Sequence, residues 1–312
     1  MIGTFPVATI RTIHHQACTG GTVVCRCIAA LPTVALISEV SPVAKPTGEQ
    51  VNFNPLDVLA AFLNAYPQAH PGRQAMLDIF GQQLRLSADL AEKAGLRLVV
   101  RDHSHSGYMS PFRDDRSSFL ESCSGFDSIR SLVTVRYPFS SYMSLKRNGW
   151  DIHVRDYEDY CGRYMHFLDH HAAAEIVKYE HFCQEPEHSV REFCRILDLA
   201  YCETFAERWP VRKLTGNSGR GREMSEIRPL PFRDWTEERS EALSKLAIHA
   251  ELCRRLGYHP DLAVYAAEAN KLAGMPPSPS IDSSKKTRFV QRIRRYGRYV
   301  GWRRVDGRGQ RL

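Results

Sequence analysis

An α/β fold with a parallel sheet flanked by helices is what this sequence predicts, from three observations. Short apolar runs (34–38, 96–100 and 130–135) alternate with longer segments of helical period, the pattern of buried parallel strands and their crossover helices. A β-branched run over 7–13 leads through Ala17-Cys18-Thr19-Gly20-Gly21-Thr22 into an apolar helical start at Val23. With 312 residues and 43% hydrophobic content, the chain can bury one large core.

The first element carries the most chemistry. Strand, glycine turn and helix in succession form a phosphate cradle: the two glycines let backbone N–H groups converge on an anion. The helix N-terminus adds unpaired donors and partial positive charge, and the threonine hydroxyls add further hydrogen bonds. The same residues would also serve as a tight turn into a core helix. Walker A is excluded, because no glycine opens the loop and Gly21 stands where the lysine is required. A cysteine phosphatase is disfavoured too, since Val24 stands where its arginine would be and Arg26 falls two positions late.

The next runs set the rim of the sheet. The strand over 34–38 ends in Glu39, placing a carboxylate where parallel α/β proteins hold ligands. Helices are expected over 55–65 and about 73–95, the second with Met76, Ile79, Phe80, Leu84, Leu86 and Leu90 at helical spacing. The strand over 96–100 delivers Arg101-Asp102-His103-Ser104-His105, and an imidazole there can accept a hydroxyl proton near neutral pH. Residues 106–125 are polar and turn-rich around Tyr108, Met109 and Phe112, as in a substrate-facing lid.

The strand over 130–135 ends in Arg136-Tyr137-Pro138, a proline at a helix start with an arginine before it and Ser140, Ser141 and Ser144 after it. This predicts a second anion site. A strand over 175–178 follows, with helices over 156–170, 187–197, 236–256 and 262–272. His166 and His170 lack the glutamate of a zinc-protease motif and read as helix-face residues. The loop 214–222 is rich in glycine, serine and arginine, either a solvated loop or a third set of donors.

Composition narrows the classes. No run of eighteen apolar residues and no leader pattern is present, so neither a membrane span nor a signal peptide is expected, and an intracellular, cytoplasmic protein is. Nine cysteines without a CxxC pair suit reduced thiols, with no zinc site and no other metal expected. Residues 285–312 hold eleven Lys/Arg and one acidic residue. Since the whole chain has 42 basic and 35 acidic residues, 31 and 34 remain in 1–284, a body of net −3. Specific nucleic-acid binding is therefore not expected of the body. We read 1–275 as the α/β domain and 276–312 as a Pro/Ser linker with a basic amphipathic tail. Phe289, Ile293, Tyr296 and Val300 share one side of that tail, suited to an anionic membrane surface or a polyanion.

Taken together and in order, the loop Cys18-Thr19-Gly20-Gly21-Thr22, the segment VRYPFSSYMS, the segment KYEHFCQEP and the loop TGNSGR resemble the sulfotransferases that use 3′-phosphoadenosine 5′-phosphosulfate (PAPS). The similarity covers roughly 7–260. It implies a parallel three-layer sandwich related to P-loop NTPases and sulfuryl transfer from PAPS, without a metal, to an acceptor hydroxyl or amine, carbohydrates included. It also implies roles: Cys18 and Thr19–Thr22 around the 5′-phosphosulfate, Arg136 and Ser144 on the 3′-phosphate, and Tyr179 against adenine. Gly216, Ser218, Gly219 and Arg220 would cover the nucleotide, and His103 would be the base, with His105 and Glu39 as alternatives. Most members carry Lys or Arg where this chain has Cys18, so the resemblance leaves open a weak or inactive nucleotide- or partner-binding protein. Arg11, Arg26, Arg101, His14 and His15 are the candidate replacement cations.

Overall fold

The computed structural model describes residues 9–42, 59, 62, 65–69, 72–111, 115–212, 214 and 226–274. Five parallel strands form one sheet: β1 (Thr9–His15), β2 (Val34–Val40), β3 (Arg97–Asp102), β4 (Ser128–Val135) and β5 (Glu175–Lys178). They run in the order β2-β3-β1-β4-β5. In register, Ile13 lies beside Arg101 on one side and Leu132 on the other. The parallel α/β expectation holds.

Helices fill the crossovers. They are α1 (Gly21–Ala29), α2 (Gly72–Lys93), the short α3 (Ser104–Tyr108) and α4 (Ser118–Ser122), α5 (Pro138–Asn148), α6 (Tyr157–His170) and α7 (Tyr179–Gln184). There follow α8 (Pro186–Leu197), α9 (Phe205–Arg208), α10 (Glu237–Ser244), α11 (Ala247–Leu256) and α12 (Leu262–Leu272). Strand alternation splits the core by face. Ile13, Val99 and Leu132 pack with α1 and α8 on one face. On the other, Ile10, Leu98 and Val100 meet α2 and α4, and Val133 and Val135 meet α5, α6, α11 and α12.

Several local expectations need correction. β2 runs past Glu39, which sits at a bulge between Ile37 and Val40 with φ of 60°, so the strand bends there instead of ending. Arg101 and Asp102 lie inside β3, leaving His103 as the first rim residue. The helix expected over 236–256 is two helices, because Leu246 is extended (ψ 102°) and reorients α11 so that His249, Leu252 and Leu256 are buried. Tyr108 and Met109 are core residues, 5% and 2% exposed, and not faces of a lid. Most of the helix expected over 55–65, most of the loop 214–222, Phe112 and the tail lie outside the described residues. All nine cysteines are free thiols, as expected. No described helix is long and apolar enough to cross a membrane.

Candidate functional site

The site lies where the chain leaves the central strands in opposite directions. After β1 the chain turns into α1 on one face; after β4 it turns into α5 on the other. The carboxyl ends of β1 and β4 therefore open a crevice between diverging connections, the place where open α/β sheets bind ligands.

The loop 16–20 folds on Gln16 and leads into a helix start that no side chain caps. Gly20 is the N-cap of α1, in the left-handed region at φ 87°, and no side chain caps the helix. A Cβ on Gly20 would strike the Tyr179 ring, and one on Gly21 would strike the His15 ring. Both glycines are thus required by close approach, and Gly20 by its φ as well. Thr19 turns its Oγ1 back to the Gln16 carbonyl at 2.8 Å. Gln16 Oε1 accepts the Ala17 N–H at 3.2 Å, while its Nε2 is buried with no hydrogen-bond partner among the described residues. An orphaned side-chain donor beside an uncapped helix N-terminus suits an anion.

Cys18 also has a left-handed φ, 65°, and its Sγ accepts from Asn148 Nδ2 at 3.5 Å. No cation extends from this position, and the residues considered as replacements are committed elsewhere. Arg11 donates to the Leu197 carbonyl at 2.7 Å and pairs with Asp198 at 3.1 Å. Arg26 bonds the Pro210 carbonyl and lies over Trp209. Arg101 serves His15 (2.6 Å), Ser38 (3.2 Å) and Glu39. His14 contacts Asp102 and Thr12. His15 does lie over Gly21, but burial and then Arg101 push its pKa well down, so it is neutral and not the missing cation. The cation that meets the loop is Arg136, whose Nη1 donates to the Cys18 carbonyl at 3.4 Å.

Arg136 also faces the Tyr179 ring, 5.4 Å from its centroid, so Tyr179 lies between Gly20 and Arg136. Beyond them opens a cleft of about 360 Å³ walled by Arg136, Tyr179, Glu180, Leu230, Tyr265 and Leu272. Burial pulls the Arg136 pKa down, but Glu180 and neighbouring tyrosines outweigh it and the net direction is up. Sequence reasoning missed Glu180. Its carboxylate accepts from the Tyr137 N–H (3.2 Å), the Tyr265 hydroxyl (2.9 Å) and the Tyr258 hydroxyl (2.5 Å). Adjacency to Tyr179 was the available signal; its two hydroxyl donors, Tyr258 and Tyr265, come from more than seventy residues away. Ser144 is buried, and Ser141 bonds within α5 and to Tyr160, so the first-turn serines mainly brace the helix.

The rim candidates converge. His103 Nε2 is 3.3 Å from Glu39 Oε2, with the His103 side chain 36% exposed and Glu39 15%. Burial raises the Glu39 pKa, partly offset by Arg101 and His103. A carboxylate on Nε2 fixes the orientation of the His103 ring at the rim. His105 lies on α3, and its side chain, like Gly216, Ser218, Gly219 and Arg220, lies outside the described residues. A second cleft of about 340 Å³ is lined by Asp102, His103, Ser104, Tyr108, Phe119 and His170, among others.

Fold and site thus define a three-layer parallel α/β protein with a P-loop-like glycine turn after its central strand. No family model and no curated protein matches the sequence. Solved structures it is similar to include two sulfotransferase domains. That of the curacin biosynthetic pathway is 13% identical over 81% of this chain and 99% of its own, with a TM-score of 0.47. That of the Synechococcus PCC 7002 olefin synthase is 16% identical over 86% and 94%, TM-score 0.47. A mouse sulfotransferase complexed with PAP is 9% identical over 79% and 85%, TM-score 0.41.

Proposed function

We propose that this protein transfers a sulfuryl group from PAPS to an acceptor hydroxyl or amine. The observation that carries the reading is the continuity of the uncapped glycine loop, Tyr179 and Arg136. These give two anion-binding elements joined by an aromatic ring, suited to a nucleotide with phosphates at both its 5′ and 3′ positions. Thr19, Gly20, Gly21 and Thr22 then hold the 5′-phosphosulfate, with Cys18 contributing backbone. Arg136, with Ser144 behind it, meets the 3′-phosphate; Tyr179 meets the base; the loop carrying Gly216, Ser218, Gly219 and Arg220 covers the nucleotide.

In this reading His103, oriented by Glu39, takes the acceptor proton as the acceptor atom bonds to sulfur. The bond between sulfur and the bridging oxygen breaks, and 3′-phosphoadenosine 5′-phosphate leaves with that electron pair. The α1 N-terminus and the Gln16 amide stabilise the charge that develops on the bridging oxygen. A second reading, a protein that binds the nucleotide with little or no transfer, is favoured by Cys18 alone, since one lost donor of this kind costs about 3–4 kcal/mol of transition-state stabilisation.

Calorimetric titration with 3′-phosphoadenosine 5′-phosphate and with ATP tests the donor site; binding of the first but not the second is expected, and the reverse would remove the assignment. With PAPS and an acceptor panel, release of 3′-phosphoadenosine 5′-phosphate measures transfer. His103→Ala should slow it about a hundredfold with nucleotide affinity nearly intact. Unchanged turnover there, with a collapse in Glu39→Gln, would move the base to Glu39.

A further inference from the structure

On the sheet face opposite the glycine loop, three buried side chains meet: His14 from β1, Asp102 from β3 and His171, which caps the C-terminus of α6. They are 0%, 4% and 3% exposed, and one ligand atom from each lies within 4.8 Å of the others. The imidazoles of His14 and His171 are tilted together with centroids 4.2 Å apart. His14 Nδ1 is 3.2 Å from Asp102 Oδ2, which also accepts from the Ser104 hydroxyl at 3.1 Å.

His171 is the informative member. Its Nδ1 can donate only to the Phe167 carbonyl, at 2.8 Å, which fixes the tautomer and leaves the lone pair on Nε2. That Nε2 is buried and has no hydrogen-bond partner among the described residues. An orphaned acceptor beside a carboxylate is unfavourable unless something electron-deficient lies between them.

We propose that His14, Asp102 and His171 bind one first-row divalent cation, zinc foremost. Two neutral imidazoles and one carboxylate are a ligand set for such ions, and not for magnesium or calcium, which take oxygen. Both histidines are braced as metal-bound histidines are, through the nitrogen away from the ion: His171 by the Phe167 carbonyl and His14 Nε2 by Thr12 Oγ1 at 3.0 Å. Thr12 is itself held by Ser131 at 2.7 Å. Of the three, Asp102 also lines the cleft formed with Ser104, Tyr108, Phe119 and His170. The site is independent of the sulfuryl-transfer reading, which uses none of these three side chains.

The test uses the full chain, freed of metal by chelation and titrated with Co²⁺ and then Zn²⁺. One Co²⁺ per chain is expected, with visible d–d absorption and no thiolate-to-cobalt charge-transfer band, which separates this site from the nine free cysteines. One equivalent of Zn²⁺ should displace it. His171→Gln and Asp102→Asn should each weaken Co²⁺ binding at least about tenfold, the lower bound for losing a supporting group. The wild-type titration decides even if a variant fails to fold. No stoichiometric uptake, a thiolate band at one equivalent, or uptake unchanged in a folded His171→Gln would overturn the proposal.

Discussion

Two neighbouring pairs, His14-His15 on β1 and Arg101-Asp102 on β3, build two different clusters because adjacent strand residues point to opposite faces. On the loop face, His15, Arg101 and Glu39 form one bonded set, which Glu39 extends to His103 at the rim. Arg101 spends its guanidinium on His15 Nε2, Ser38 and Glu39, and His15 donates its Nδ1–H to the Gln16 carbonyl at 3.2 Å. On the opposite face, His14 and Asp102 meet His171, whose lone pair is left over. A buried charge whose bonding capacity is filled orients its neighbours, whereas unfilled capacity marks a place for a ligand. The same contrast recurs within the loop face, where the bonded Arg101 cluster adjoins the loop with its orphaned Gln16 amide.

The sharpest way to break the bonded cluster is Arg101→Ala. It strands Glu39 in a largely buried position and should cost about 3–5 kcal/mol of folding stability, read as a shift of the urea midpoint at unchanged slope. A loss below 1 kcal/mol would mean that water reaches Glu39 freely.

The open part of the same face is tested by Arg136→Ala. It should weaken 3′-phosphoadenosine 5′-phosphate by about 2–5 kcal/mol while affecting adenosine 5′-phosphosulfate, which lacks the 3′-phosphate, much less. Equal losses for the two ligands in calorimetry would detach Arg136 from that phosphate.

The smallest effect concerns pH. Burial, then Arg101, holds the His15 pKa well below its ordinary 6.5, so below that pH the unfolded chain takes a proton that the folded chain refuses. Stability therefore falls as pH drops from about 6.5 towards the folded value, by at most about 1.4 kcal/mol per pH unit for this one group. In His15→Gln that part of the slope should vanish, measured as urea midpoints between pH 7 and 5; an unchanged slope would show that His15 is not held neutral.

Much of the fold was legible because periodicity reports burial directly. β5 and α12 fall on their expected residues, and the crossover pattern required a parallel sheet. Where reading failed, the cause was a backbone conformation that side-chain pattern does not encode. Leu246 is as apolar as its neighbours yet extended, and Glu39 adopts a left-handed φ within a strand that seemed to stop before it. In the site, Gly20, Gly21 and Arg136 were recognisable from residue type and order. Glu180 and Gln16 were not, because their significance lies in partners, or a missing partner, that only folding supplies.

The sequence alone determined a parallel α/β protein with a glycine turn after its first strand and an arginine before the helix that follows the fourth, because chain-local chemistry sets strand period, glycine φ and helix starts. Which cation reaches the loop was a tertiary decision. Five candidates were equivalent in sequence, and register, strand face and competing partners committed four of them elsewhere and left His15 neutral; the Cys18 carbonyl is met instead by Arg136, which was not among the five. The meeting of His14, Asp102 and His171 was likewise invisible along the chain, since it joins three distant stretches of sequence through strand alternation and the end of one helix.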